Sequence, residues 1–330
     1  MASESARIYE EAIVFDGLNI CNFSPEIFRE WGKGGFTGVS ATCGVWENIR
    51  GSLDHIAVWK RWFSDHSALI LQAFTTEDIR LAKRQGKTAV VLSWQNTAGI
   101  EDRIDYLEIF AALGVRVMQL TYNTQNYSGS GYTELSDSGL SGFGREVVDE
   151  MARVGIACDL SHVGPKTSAD VIAYASKPPC FSHIQPLGLK DSKRNKSDDL
   201  IRAVGGRGGM IGLSEFGPAM KRGNDSTIDD YVESIDYVIS LIGEDLVGVG
   251  SDSSQGHDRP SPFMEWCNRD KGYARILTPF GSEKVVKPLG LLSDRPKLCH
   301  AMVKAGWSET KIRKVLGENW LTYLKSIWGA

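Results

Sequence analysis

No two of the six cysteines, at positions 21, 43, 158, 180, 267 and 299, form a C-x-x-C pair. That excludes a zinc ribbon or a thioredoxin-type redox motif. Cys158 and Cys180 lie inside apolar runs and read as core thiols of a reducing compartment. No stretch approaches the roughly 20 consecutive apolar residues of a membrane span. The opening MASESARIYEEAIVFDG lacks the basic-then-apolar order of a secretory leader, and the closing LKSIWGA lacks a lipid-anchor signal. A cytoplasmic protein without a membrane partner is expected. Charge of one sign is also scarce. The net charge is −4, and the longest charged run, LKDSKRNKSDD at 189–199, mixes both signs as a solvated loop does. No basic face announces nucleic acid. There is no G-x-G-x-x-G after the first strand and no P-loop, so a nucleotide-binding fold lacks its mark. Internal repeats and low-complexity segments are absent too.

What the 330 residues do contain is ordinary globular material, 42% hydrophobic and 24% charged. Near-continuous apolar runs predict strands near 12–18, 37–43, 89–94, 115–121, 156–161, 180–183, 209–214 and 246–251, each covered on both faces. A ninth run, ALILQAF at 68–74, is expected outside the main sheet. Amphipathic helices alternate with these strands. In STIDDYVESIDYVISLIG the apolar residues recur every three or four positions, and Ser226 or Thr227 is able to cap the start. IEDRIDYLEIFAALG is closed by Gly114, and SGFGREVVDEMARVG ends at Gly155. Eight alternations predict an α/β fold, a (β/α)8 TIM barrel forming a single domain over 1–330. From about 255 a lid-like loop is followed by closing helices, including SETKIRKVLGENWLTYLKSIW.

In such a barrel, function collects at the C-terminal strand ends. Here DLSH, FSH and VGVGSD deliver His162, His183 and Asp252 from three strands. Two imidazoles and a carboxylate make a workable set for one divalent metal such as zinc. His55, His66 and His300 lie in helical or polar surroundings and read as structural. His257, in DSSQGHDRP after the last strand, also reads as structural, with lining of the pocket as the alternative. TCGVWEN sets Cys43, Trp46 and Glu47 at the end of strand two, where Trp46 either packs or walls an apolar or quaternary-ammonium group. Glu215 faces the pocket, gripping a substrate amine or a water, or else points between strand and helix.

The segments GVRVMQLTYNTQN, GLSGFGREVVDEMARVGIACDLSHVG, FSHIQPLGLKDSKRNKSDDLIRAVGGRGGMIG, VGVGSD and GENWL resemble the membrane (renal) dipeptidase family of the amidohydrolase superfamily. The resemblance runs from about 12 to 325. It implies a (β/α)8 barrel, a two-zinc site, hydrolysis of dipeptides including D-residue and dehydro variants, and a homodimer. His162 and His183 fall on ligands of one zinc. Arg194 falls on the arginine that holds the substrate carboxylate, and Asp252 on the proton-shuttling aspartate.

Other positions depart from the family. Its first strand ends D-G-H-x-D, whereas this one reads Asp16-Gly17-Leu18-Asn19-Ile20. Gln95 replaces the bridging glutamate, and Tyr122 the substrate-facing histidine. Two dications a few ångströms apart repel strongly without bridging anions, so one metal or none is expected rather than two. The sequence therefore predicts a dipeptidase-like amidohydrolase cleaving a small amide or peptide bond in a carboxylate-bearing substrate. Asp252 and Tyr122 are its candidate catalytic groups. Arg194, Gln95, Tyr122 and Glu215 contact the substrate, and His162, His183 and Asp252 hold the metal. Two alternatives stand beside it: a lyase or isomerase acting on a small amino-acid derivative, and an inactive binding subunit.

Overall fold

The computed structural model describes residues 4–257 and 289–329. Most of the expected lid-like loop, residues 258–288, and with it Cys267, lie outside the described residues. All eight predicted strands are present: β1 Phe15–Asn19, β2 Gly38–Gly44, β4 Thr88–Trp94, β5 Val115–Gln119, β6 Ala157–Asp159, β7 Phe181–Ile184, β8 Ile211–Leu213 and β9 Val247–Val249. The run at 68–74 contributes β3, Ile70–Gln72. It was expected outside the sheet, but it pairs in parallel with the first half of β4. β4 is long enough to leave its second half for β5, so the sheet takes in the extra strand.

Every strand pairing is parallel. Six strands form one sheet with the path β1-β2-β4-β5-β6, and β7-β8-β9 form a second. Isolated parallel bridges join the edges, Asp159 to Cys180 and Asn19 to Ser253. The result is a parallel sheet curled into a half-barrel of the TIM-like kind, faced by the shorter sheet. Helices α2 Pro25–Lys33, α3 Ile49–Asp65, α4 Thr76–Gln85, α5 Tyr106–Leu113, α6 Gly142–Val154, α7 Pro165–Tyr174, α8 Asp198–Gly206 and α9 Ile228–Ile242 alternate with the strands. α1 Glu4–Glu11 precedes them, and α10 Pro296–Lys304, α11 Glu309–Arg313 and α12 Asn319–Trp328 follow.

Local chemistry sets these boundaries. Thr227 caps α9 in a reciprocal capping box with Asp230. Gly114 and Gly155 stop α5 and α6 in the left-handed conformation. No described helix is long and apolar enough to cross a membrane. The described cysteines are all buried, with no disulfide among them.

The sheet buries two layers. Val39, Ala41 and Cys43 of β2, with Val90, Leu92 and Trp94 of β4, face the helices. Phe15, Ala89, Val91, Val117, Ala157 and Met210 face inward around Trp320 of α12. Glycines on three strands make room for that indole. A Cβ at Gly17 would sit 2.3 Å from the Trp320 ring, at Gly248 2.9 Å and at Gly212 3.0 Å. Trp320 Nε1 donates to the Val249 carbonyl at 2.8 Å, so its polar edge is satisfied where it plugs the interior.

Candidate active site

Both predicted histidines stand at the ends of neighbouring strands, and both are buried. Asp159, the last residue of β6, holds them in place. Its Oδ1 accepts from the Ser161 hydroxyl at 2.6 Å and the Ser182 amide at 2.8 Å. Its Oδ2 accepts from the Ser182 hydroxyl at 2.6 Å. Ser161 Oγ in turn accepts from the His183 amide at 3.0 Å. One carboxylate thus knits together the two segments that carry the imidazoles.

Hydrogen-bond logic fixes both tautomers. Ser182 spends its proton on Asp159, so its oxygen accepts from His183 Nδ1–H at 2.7 Å. A guanidinium only donates. Arg194 Nη2, 3.1 Å from His162 Nε2, therefore meets a lone pair there. The His162 proton is then on Nδ1, where it is donated to Asn123 Oδ1 at 2.6 Å. With His183 neutral, each Nε2 carries a lone pair, and the two Nε2 atoms lie 2.9 Å apart. Metal-binding imidazoles are prepared in this way, with the other ring nitrogen tied to an oxygen. Burial, reinforced by Arg194 and then by His183 and Lys196 nearby, holds His162 well below the usual imidazole range. It is a neutral acceptor at pH 7.

The two Nε2 atoms are donors that would suit a divalent ion. Among the described residues, no group of three His, Cys, Asp or Glu side chains gathers as a metal site. Asp252, predicted as the third ligand, is thus not brought into such a group with the histidine pair. It lies half-buried just past β9 with φ of 55°. Its amide donates to the Leu18 carbonyl at 3.1 Å, which places it beside β1. Where the resemblance puts the family's first-strand metal ligands, this chain has apolar side chains. Ile20 packs with Val45, Tyr122 and Trp46, and Leu18 is buried too.

Tyr122 stacks on His162 with ring centroids 4.3 Å apart and meets Trp46 edge-on at 5.7 Å. Its ring is a wall of the site. Gln95 is buried, and its Nε2 donates to Thr42 Oγ1 at 2.9 Å, which leaves Oε1 as a buried acceptor with no partner. Arg194 is nine-tenths buried. Besides His162 it donates to the Ser161 carbonyl at 2.7 Å and the His183 carbonyl at 2.9 Å. Of its five N–H donors two remain for a ligand. Glu215 takes the second of its two predicted orientations. It lies between strand and helix, paired with Arg295 just before α10, and Arg295 also stands 3.6 Å from Asp16. Its charge is matched inside the protein. His257 Nε2 donates to the Ile20 carbonyl at 2.6 Å, and His55 Nδ1 to the Cys43 carbonyl at 2.5 Å.

Asn123, Asp159 and Ser182 orient the imidazoles, and the sequence reading missed all three. Asn123 left one trace, an asparagine in the TYN segment that follows β5. It holds a positive φ of 59° there, which asparagine tolerates better than most residues.

Parallel strands curled under helices, with a buried imidazole pair and an arginine at their carboxyl ends, define a TIM-like α/β protein with the makings of an active site. Within that class, residues 25–265 match the model of the membrane dipeptidase family, peptidase family M19, and the chain belongs to that family. An amidohydrolase from Pseudomonas aeruginosa has 45% sequence identity and a TM-score of 0.94, covering 99% of this chain and 100% of its own. A metallopeptidase from Rhodobacter sphaeroides, liganded with a phosphinate mimic of the dipeptide L-Ala-D-Ala, shares the fold. Its identity is 20% and its TM-score 0.79, with 96% of this chain and 100% of that one covered. An uncharacterized dipeptidase of Schizosaccharomyces pombe is 29% identical over 211 residues, 62% of this chain. The match spans about half of that relative's length, 51%.

Proposed function

We propose that this protein hydrolyses a small amide or peptide bond in a carboxylate-bearing, dipeptide-like substrate, using one divalent metal rather than two. The observation that carries the reading is the pair of Nε2 lone pairs 2.9 Å apart beside Arg194. Two acceptors in contact repel, and a shared cation removes the repulsion. Membership of a metallopeptidase family and the dipeptide mimic bound by the Rhodobacter relative support the same reading.

His162 and His183 would hold the ion, with zinc the best match for imidazole donors. When bound, such an ion supplies Lewis acidity toward a carbonyl and toward water. The chain's own residues do the rest. Arg194 takes the substrate carboxylate with its two remaining N–H donors. Gln95 Oε1 accepts an N–H of the substrate. Tyr122 holds the His162 ring by stacking and offers its phenol to the reacting carbonyl. Asp252 takes and returns the proton. In this reading the eight principal strands close into one barrel and one domain, and the protein works in the cytoplasm as a homodimer.

One observation favours a second reading. Arg194 Nη2 occupies the His162 lone pair, as in a metal-free site where the same residues bind a polar ligand. That site would suit a lyase or isomerase acting on a small amino-acid derivative, or a binding subunit. Metal content measured together with a dipeptide panel decides. About one equivalent per chain with turnover supports the hydrolase. Absence of metal with silence across the panel supports the second reading, and two equivalents refute the single-ion site.

A further inference from the structure

Four residues without a part in the chemistry above meet at one place. Cys21, Cys43, His55 and His257 line a cavity of about 280 Å³. It is built from the residues following β1, the end of β2, helix α3 and the residue stretch following β9, so it opens on the same face as the histidine pair. Phe23, Val58, Trp59 and Trp62 form its apolar wall. Phe23 and Trp59 meet edge-on at 5.1 Å, and Trp59 and Trp62 at 4.9 Å.

Among the described residues, the lining includes no Asp, Glu, Lys or Arg. A charged group entering it would lose its hydration without compensation. A metal is equally unsuited, because each histidine turns a ring nitrogen to a backbone carbonyl and no three-residue donor group forms among the described residues. Size narrows the occupant further. A cavity of about 150 Å³ admits benzene, and whole small-molecule sites begin near 300 Å³. One aromatic ring system or branched chain fits here, and a second amino-acid residue does not. Thr42 connects the cavity to the site, because it lines the wall and also accepts the Gln95 amide at 2.9 Å.

We propose that this cavity is a side-chain subsite, taking an uncharged aromatic or branched apolar group on the substrate residue held by Gln95. Its placement beside the reacting bond rests on the hydrolase reading, whereas its ability to take an apolar group does not.

Calorimetric titration with indole tests the cavity without turnover. One indole should bind per chain, and Val58→Trp, which fills the space from the half-buried face of α3, should abolish binding. In parallel, kcat/KM for aromatic relative to glycine-containing dipeptides should fall about tenfold or more in Val58→Trp. Should that variant fail to fold, Val58→Ala replaces it, and is expected to keep indole and admit the wider naphthalene. Absence of indole binding to the unmodified protein, unchanged binding in Val58→Trp, or rejection of both probes by Val58→Ala overturns the proposal. Silence toward every dipeptide removes the hydrolase reading and with it the subsite's place in catalysis, while indole titration still decides whether the cavity binds apolar groups.

Discussion

His162 and His183 face each other through Nε2 at 2.9 Å, with both Nδ1 protons already given to oxygen acceptors. In the proposed reading this pairing holds a single ion. Purified protein should contain no more than one equivalent of divalent metal by mass spectrometry, and His183→Ala should lose it. Turnover in that variant should fall by at least a hundredfold, the scale on which a positioned catalytic group acts.

Asn123 acts through His162. Asn123→Gly keeps the positive φ that the backbone requires while deleting the oxygen that receives Nδ1–H. Loss of such a partner weakens metal affinity or activity about 10- to 100-fold. Competition with a chelator measures that loss, and an unchanged circular dichroism spectrum shows the fold intact.

Arg194 carries the prediction for substrate charge. Charge-assisted hydrogen bonds contribute about 1.5–3 kcal/mol, so Arg194→Ala should raise KM roughly 10- to 150-fold for carboxylate-bearing substrates. An amidated dipeptide, lacking that carboxylate, should show a much smaller change in steady-state assays.

The ion pair of Glu215 and Arg295, with Asp16 close by, is buried. Removing one member strands the others as uncompensated charges. Arg295→Met should cost about 3–5 kcal/mol in urea denaturation. Adding Glu215→Gln to it should recover part of the loss.

Lys196 gives the pH prediction. It is buried, and its pKa is pushed down to about 7, first by burial and then by Arg194. The unfolded lysine titrates near 10.4. Between these values the unfolded state holds a proton that the folded state lacks, so stability rises with pH across that window. Below pH 7 both states are charged and the full burial penalty applies. The advantage of Lys196→Met over the parent should therefore be largest below pH 7 and shrink toward pH 10, by on the order of a few kcal/mol. A constant difference between the two proteins across this range would contradict the buried lysine.

Much of this architecture was legible because strands covered on both faces leave continuous apolar runs, and each such run ended in polar residues. DLSH and FSH betrayed the histidine pair in that way. β3 was harder to place, since whether three residues join a sheet depends on the free half of β4. The orientation of Glu215 was left open by alternation. Its partner Arg295 lies 80 positions away, on a helix start with no motif. Asp159 hid inside ACDL as an ordinary strand residue, although its oxygens organise both histidines. The aromatic cavity was invisible for a similar reason: Phe23 and Trp59 sit on different elements, and no spacing rule joins them.

The indole of Trp320, threaded among glycines of β1, β8 and β9, has a consequence for biosynthesis. Translation delivers this residue after every strand whose interior it occupies. Until it emerges, the nascent chain can pair its strands but has a hollow floor lined by Phe15, Val91 and Met210. Emergence of Trp320, rather than completion of the sheet, should mark the moment when the protein becomes resistant to proteases.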